Sequence, residues 1–369
     1  MTDPSEQSEP NGAWPWPVGA ATGIGSLPGT DIAEAQRIVL GELPALPHLP
    51  ELPDRGAGAE IIGRGATFLV DLPVELYAGR WRVAARSGRD LRHALDLRER
   101  DLDQLTEQAD RYVGPLKLQA AGAFTLAANL DVGLGGRLLR DHGAVRDLAD
   151  SLTEGLRGHI ADVSRRVPGA RLLLQLDEPS LPAVLAGMVR TDSGLHTYRS
   201  IAASTARDLL AAMIDRLGVP VVVHCCAPGV PLALLRAAGA TAVAADLTLL
   251  TDLDPLGEAI DAGLGLFAGA VAATAAPPAG PTAARQADPN TRPRPGDPNT
   301  RPRPGDPTPT AAQASDAIRT LWSKLGFPAE QAAAQVVVTP ACGLAGATPE
   351  YARAALAACR DAGRRLFEQ

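Results

Sequence analysis

The sequence predicts an α/β fold, a (β/α)8 TIM-like barrel, on three observations. Short runs of small and β-branched apolar residues alternate with amphipathic segments of helical length. The runs are apolar on both faces, as strands of a parallel sheet buried on both sides must be. Eight of them can be traced, which favours a closed barrel over an open doubly wound sheet.

The first run, 20–25, precedes a helical segment at 31–40. The second, 46–52, is weak and leads into a Gly-rich stretch over 55–69, which is what keeps an open sheet as the alternative. The third, 116–120, is followed by a helical segment at 145–166, and the fourth is 171–176. Segments at 200–217, 230–238 and 255–262 then lead into strands at 221–224, 242–245 and 264–268. A helix over 311–325 precedes the eighth strand, 336–339, and another over 349–367 ends the chain. Ile24-Gly25-Ser26 is not a dinucleotide fingerprint, because no third glycine follows at the required spacing.

The chain has 369 residues, 46% apolar and 21% charged, enough for a large core. Its net charge of -7 argues against binding to a phosphate backbone or an anionic membrane. The longest charge-free run, 262–284, is broken by Pro277, Pro278 and Pro281 and falls short of a membrane span. Residues 1–12 are acidic and polar, unlike a secretory signal. We therefore expect a flexible tail over 1–15, a single barrel domain over 16–369, and a cytoplasmic location, which 4 cysteines with two adjacent also suit.

One stretch stands apart. Residues 275–310 hold 11 of the 32 prolines and no aromatic residue, so they cannot form a core. The nonapeptide Asp-Pro-Asn-Thr-Arg-Pro-Arg-Pro-Gly at 288–296 recurs at 297–305. This reads as a slipped duplication forming a disordered Pro/Arg-rich insertion in a late βα loop.

In a barrel, chemistry belongs where strands end and loops begin. At the fifth strand's end stands His224-Cys225-Cys226. Residues two apart on an extended chain share a face, so His224 and Cys226 converge while Cys225 points away. Asp246 ends the sixth strand and Cys342 follows the eighth. His224, Cys226, Cys342 and Asp246 can thus surround one zinc ion, with Asp246 alternatively a cap or an outer partner. Cys225 and Cys359 read as small core residues. His48, His93, His142, His159 and His196 read as surface or packing residues.

Two thiolates and an imidazole make an electron-rich zinc, suited to holding a substrate thiolate that attacks an alkyl carbon. Asp177, at the fourth strand's end, can hold a substrate ammonium, with Glu178 or Asp177 otherwise capping the following helix. The backbone N–H groups of Ile24, Gly25 and Ser26 can bind a carboxylate. Together these describe a pocket for an amino acid with a thiol side chain.

Ile24-Gly25-Ser26-Leu27-Pro28, Asp177-Glu178-Pro179, His224-x-Cys226 and Cys342-Gly343-Leu344, in that order, resemble the catalytic domain of the cobalamin-independent methionine synthase family in its short, single-barrel form. The resemblance runs over about residues 19–367. It implies a barrel related to uroporphyrinogen decarboxylase, a zinc that binds homocysteine sulfur, and methyl transfer from 5-methyltetrahydrofolate to make methionine. It implies His224, Cys226 and Cys342 as ligands, Ile24 to Ser26 on the substrate carboxylate and Asp177 on its amine. The chain also departs from the family. Asp246 stands about two positions from the family's fourth ligand, a Glu. Glu60 is near, but not in, the place of a homocysteine-binding Glu. The loop after Ala270 lacks the family's proton-donating His, and Asn129 takes the place of a folate-stacking Trp. The zinc and amino-acid ends are thus retained and the methyl-folate end is not. Two alternatives follow: the same thiol methylation with a corrinoid protein or another donor, or zinc and thiol binding without catalysis.

Overall fold

Six of the eight expected strands form one parallel sheet. The computed structural model describes residues 14–133, 135–273 and 309–368. The expected tail up to residue 13 and the insertion over 275–308 lie outside the described residues. The strands in chain order are β1 (Val74–Tyr77), β2 (Arg80–Val83), β3 (Gly114–Ala121), β4 (Asp131–Val132), β5 (Ala170–Asp177), β6 (Val221–His224), β7 (Ala242–Asp246), β8 (Gly265–Val271) and β9 (Val336–Pro340). The curled main sheet has the order β3-β5-β6-β7-β8-β9, every pair parallel.

The first two expected strands are corrected. Residues 20–25 and 46–52 are extended segments, bonded at single points between the edge strands β9 and β3, so a closed eight-stranded barrel is not formed. Ala21 bridges Val338, Ser26 bridges Glu51, and His48 bridges Lys117. The cause is local. Pro47 and Pro50 have no N–H to give to a ladder. Leu49 N donates to Lys117 O at 3.0 Å and Pro47 O accepts from Lys117 N at 2.9 Å.

The structure also adds a small sheet that the sequence reading lacks, in which β1 pairs antiparallel with β2, and β2 parallel with β4. The β1–β2 turn is Ala78-Gly79, with φ of 48° and 80°. A two-residue hairpin turn with both φ positive ordinarily announces itself as Asn-Gly or Asp-Gly, and Ala78 conceals it.

Strand alternation sorts the side chains into two layers. Leu173, Val222, Ala242, Ala244, Phe267 and Val337 pack together inside the curl with Trp16, Ala20, Ile24 and Leu46. Their neighbours Leu174, Val223, Val243, Leu266 and Val338 face the helices, among them Ile32–Glu42, His142–Arg166, Ala203–Leu217, Ala311–Leu325 and Pro349–Phe367. Asp31, Asp141 and Thr348 cap three of these helices through side-chain oxygens.

Trp16 plugs the interior at the strands' N-terminal ends. Its ring meets Phe267 edge-on at 5.1 Å and its Nε1 donates to Ala334 O at 3.1 Å. A Cβ on Gly265 would lie 2.6 Å from that ring, so the plug requires glycine there. Trp14, inside the stretch expected to be a flexible tail, stacks on Trp16 at 5.2 Å. The opposite end of the interior is the C-terminal end of the strands. No helix among the described residues is long and apolar enough to cross a membrane.

Candidate metal centre

The alternation that buries Val222 also carries His224 to the inner face at the end of β6. His224 is 3% exposed. One potential ligand atom from each of His224, Cys226 and Cys342 lies within 4.8 Å of the others. Cys225 points the other way into the core, fully buried, and burial pushes its thiol up to about 12. Cys359 is likewise buried, in the last helix, and its thiol is also raised by burial. Cys342 follows the end of β9, and the next residue, Gly343, is a packing requirement. A Cβ there would collide with Ser26 Oγ.

The three donors suit a soft divalent metal such as zinc. His224 Nδ1 lies 3.2 Å from Ala244 O, the backbone contact that fixes a ligating imidazole and leaves Nε2 as the donor atom. A hydrogen bond from Cys226 holds the Cys342 thiol well below its usual range, against burial and with help from His224. Cys226 is pushed up by that same bond and by burial. Burial lowers His224, but its bond to Cys342 and the nearby Asp177 outweigh it, and the imidazole is raised. Together the three residues make a nest of soft donors with one thiolate already favoured.

Asp246 stands outside this group. Its carboxylate accepts from Thr248 N at 2.8 Å and from Thr248 Oγ1 at 2.7 Å, capping the turn Leu247–Leu249. That is the capping alternative for this residue, and it leaves a set of three protein donors.

Asp177 is 7% exposed and accepts from Gln175 Nε2 at 2.7 Å. Burial raises its carboxyl to about 7, with Glu51 adding to the rise and His224 and Lys117 opposing it. Glu178 faces elsewhere. It accepts from Phe124 N at 3.0 Å, Thr125 N at 2.8 Å and Thr125 Oγ1 at 2.8 Å. It therefore anchors the helix Ala123–Asn129 rather than the helix that follows it in the chain. Gly122 makes room for this carboxylate, since a Cβ there would collide with Glu178 Oε1.

The segment from Ile24 to Ser26 has all three carbonyls engaged. Ile24 O accepts from Lys117 Nζ at 2.9 Å and Gln175 Nε2 at 2.9 Å. Gly25 O accepts from Glu51 N at 3.1 Å, and Ser26 O from Leu344 N at 2.8 Å. The N–H groups of Ile24, Gly25 and Ser26 make no hydrogen bond among the described residues. Three successive backbone donors without partners among the described residues, beside Gly343, are suited to a carboxylate.

Three buried groups were missed by the sequence reading. Lys117 is fully buried on β3, and burial lowers its amine to about 7 against the pull of Asp177 and Glu51. Glu51 lies 3.1 Å from Arg64 Nε, and both are nearly buried. A charged residue in an otherwise apolar strand was the visible signal for Lys117. Glu60 caps the helix Ile61–Ala66 and accepts from Trp81 Nε1 at 2.5 Å. Of the histidines, His48 and His159 are buried packing residues.

No protein-family model matches the sequence, and no curated protein matches it. Among solved structures, the chain is similar to a B12-independent methionine synthase from Shewanella sp. W3-18-1 in complex with selenomethionine. The TM-score is 0.57 at 13% identity, covering 94% of this chain and 97% of that one. At that identity the likeness is one of fold.

Proposed function

We propose that this chain is a zinc-dependent methyltransferase that converts the thiol of homocysteine, or of an amino acid like it, to a methyl thioether. The observation that carries this reading is the convergence of His224, Cys226 and Cys342 within 4.8 Å, together with three backbone N–H groups without partners among the described residues and a buried Asp177. A bound zinc would supply the means of keeping a substrate thiol ionised at neutral pH, where a free thiol is only a few per cent thiolate.

The chain's own residues supply the rest. Ala244 O orients the His224 ring. The N–H groups of Ile24, Gly25 and Ser26 receive the substrate carboxylate, and Asp177 receives its ammonium by a charge-assisted bond. Burial keeps water from competing for these groups. The sulfur gains a methyl group, the donor loses it, and the thiol proton leaves to solvent. Support for an amino acid of this shape comes from the fold neighbour, which was solved in complex with selenomethionine.

The methyl donor has two readings. Methyltetrahydrofolate is the first. A corrinoid protein or another donor is the second, favoured by Asn129, which is 7% exposed and bonds Thr125 O at 2.8 Å where the family has an aromatic ring. Zinc-edge spectroscopy with and without homocysteine tests the core of the proposal, and a new sulfur neighbour on addition is expected. An unchanged zinc environment refutes it. Methyl-folate and methylcobalamin assayed in parallel separate the donors. Product from neither favours zinc or thiol binding without catalysis.

A further inference from the structure

Inside the curled sheet, next to Asp177, lie two buried polar side chains, Lys117 and Gln175, that the proposed chemistry does not use directly. Lys117 Nζ donates to Gln175 Oε1 at 2.7 Å and to Ile24 O at 2.9 Å. Gln175 Nε2 donates to the same Ile24 O at 2.9 Å and to Asp177 Oδ1 at 2.7 Å. Both residues are 0% exposed. The orientation of the amide follows from its partners: the Ile24 carbonyl can only accept, so the NH2 must face it and Oε1 is left to face Lys117. Every polar atom of Gln175 is thereby committed.

We infer that Lys117 and Gln175 are positioning residues that tie together the two halves of the amino-acid subsite, the Ile24–Ser26 donors and the Asp177 carboxylate. This rests on the reading of that subsite given above. The Ile24 carbonyl and the Gly25 N–H belong to one planar trans peptide and point in opposite directions. Two donors fixing the carbonyl therefore fix the direction of the N–H. The same amide group that fixes the carbonyl also holds Asp177, so the spacing between carboxylate site and ammonium site is set by one side chain. Glycine at 25 belongs to this arrangement, since a Cβ there would lie 2.9 Å from Gln119 Cγ.

Stability alone would not choose this construction. A buried amine whose short hydrogen bonds go to neutral acceptors costs desolvation that an apolar residue of similar volume avoids. Lys117 is surrounded instead by groups whose orientation matters to a ligand.

The test compares zinc-loaded wild type with Gln175→Met, Lys117→Met and the milder Gln175→Asn, made singly. Calorimetric titration uses homocysteine and, as a thiol lacking both charged groups, 1-butanethiol. The expected result is a rise of roughly tenfold in the homocysteine Kd, the size of one lost or misplaced polar contact. The butanethiol Kd and the zinc content are expected to stay at their wild-type values. A homocysteine Kd unchanged in every folded variant overturns the inference, and so does an equal loss for both thiols, which marks a merely structural role. Wild type that binds butanethiol as tightly as homocysteine refutes the amino-acid reading itself, and this inference with it. Gln175→Asn keeps the amide and shortens only its reach, so the test stands if the Met variants do not fold.

Discussion

Replacing Glu178 with Gln isolates the effect of one buried charge beside the site. Glu178 follows Asp177 at the end of β5 and is fully buried. Burial pushes its carboxyl from the ordinary 4.5 up to about 7, against three hydrogen bonds that pull it down. The folded chain thus holds this proton more tightly than the unfolded chain does. The resulting stabilisation is whole below about 4.5 and is lost as pH rises through about 7. At 1.36 kcal/mol per pH unit, that window is worth about 3 kcal/mol. A Gln side chain is neutral throughout, but it places a donor against one of the N–H groups of Phe124 or Thr125, costing about 1–3 kcal/mol at every pH. The variant is therefore expected to be less stable than wild type in mild acid. The gap should shrink by about 3 kcal/mol by pH 8, to parity or reversal. Urea denaturation of both proteins at intervals from about pH 4.5 to 8.5 reads this as a difference, in which groups common to both cancel. A gap that does not change with pH, or that widens as pH rises, refutes the reasoning.

Four further substitutions follow from the geometry. Cys342→Ser should abolish stoichiometric zinc while Cys225→Ala leaves it intact, because only the former reaches the donor group, and metal analysis of the purified proteins checks both. Asp246→Asn should retain zinc and lose about 1 kcal/mol of stability, the value of a weakened cap at Thr248, and loss of the metal would restore Asp246 to the ligand set. Trp16→Ala should cost about 3–5 kcal/mol in thermal or urea unfolding by opening a cavity under Phe267, with zinc binding at the far end unchanged.

The strands that are legible in the sequence are those whose composition leaves no choice. Arg171 stands at the exposed entry of β5, yet Leu172, Leu173 and Leu174 suffice to mark that strand. Period-two alternation places His224 and Cys226 on one side and Cys225 on the other, and the structure has that arrangement. The segment 46–52 reads as a full strand because apolar composition does not register the absence of N–H groups at Pro47 and Pro50. The network of Lys117, Gln175 and Ile24 O is hidden for a different reason. It depends on which residues of β3, β5 and a non-strand segment meet inside the curl, and that pairing is a tertiary fact. Asp246 shows the limit at a strand end, where the same carboxylate can serve a metal or the local backbone, and Thr248 two residues on decides the local geometry.

The donor group also carries a proton count. Without metal, Cys342 is the favoured thiolate, Cys226 keeps its proton as donor to Cys342, and His224 holds its proton to higher pH than a free imidazole does. Metal binding requires both sulfurs ionised and the imidazole neutral. Zinc uptake at about pH 7 should therefore release between one and two protons, one from Cys226 and a fraction from His224. As pH rises, the His224 contribution disappears and the count should fall toward one, while apparent affinity climbs. Zinc titration in weakly buffered solution with a pH indicator measures the count directly. Two released thiol protons with no His contribution would mean that Cys342 is not held as a thiolate, and no release would mean that the metal does not bind these sulfurs. In Cys225→Ala the count should be that of wild type, because a thiol raised by burial and turned into the core has no proton to give to this equilibrium.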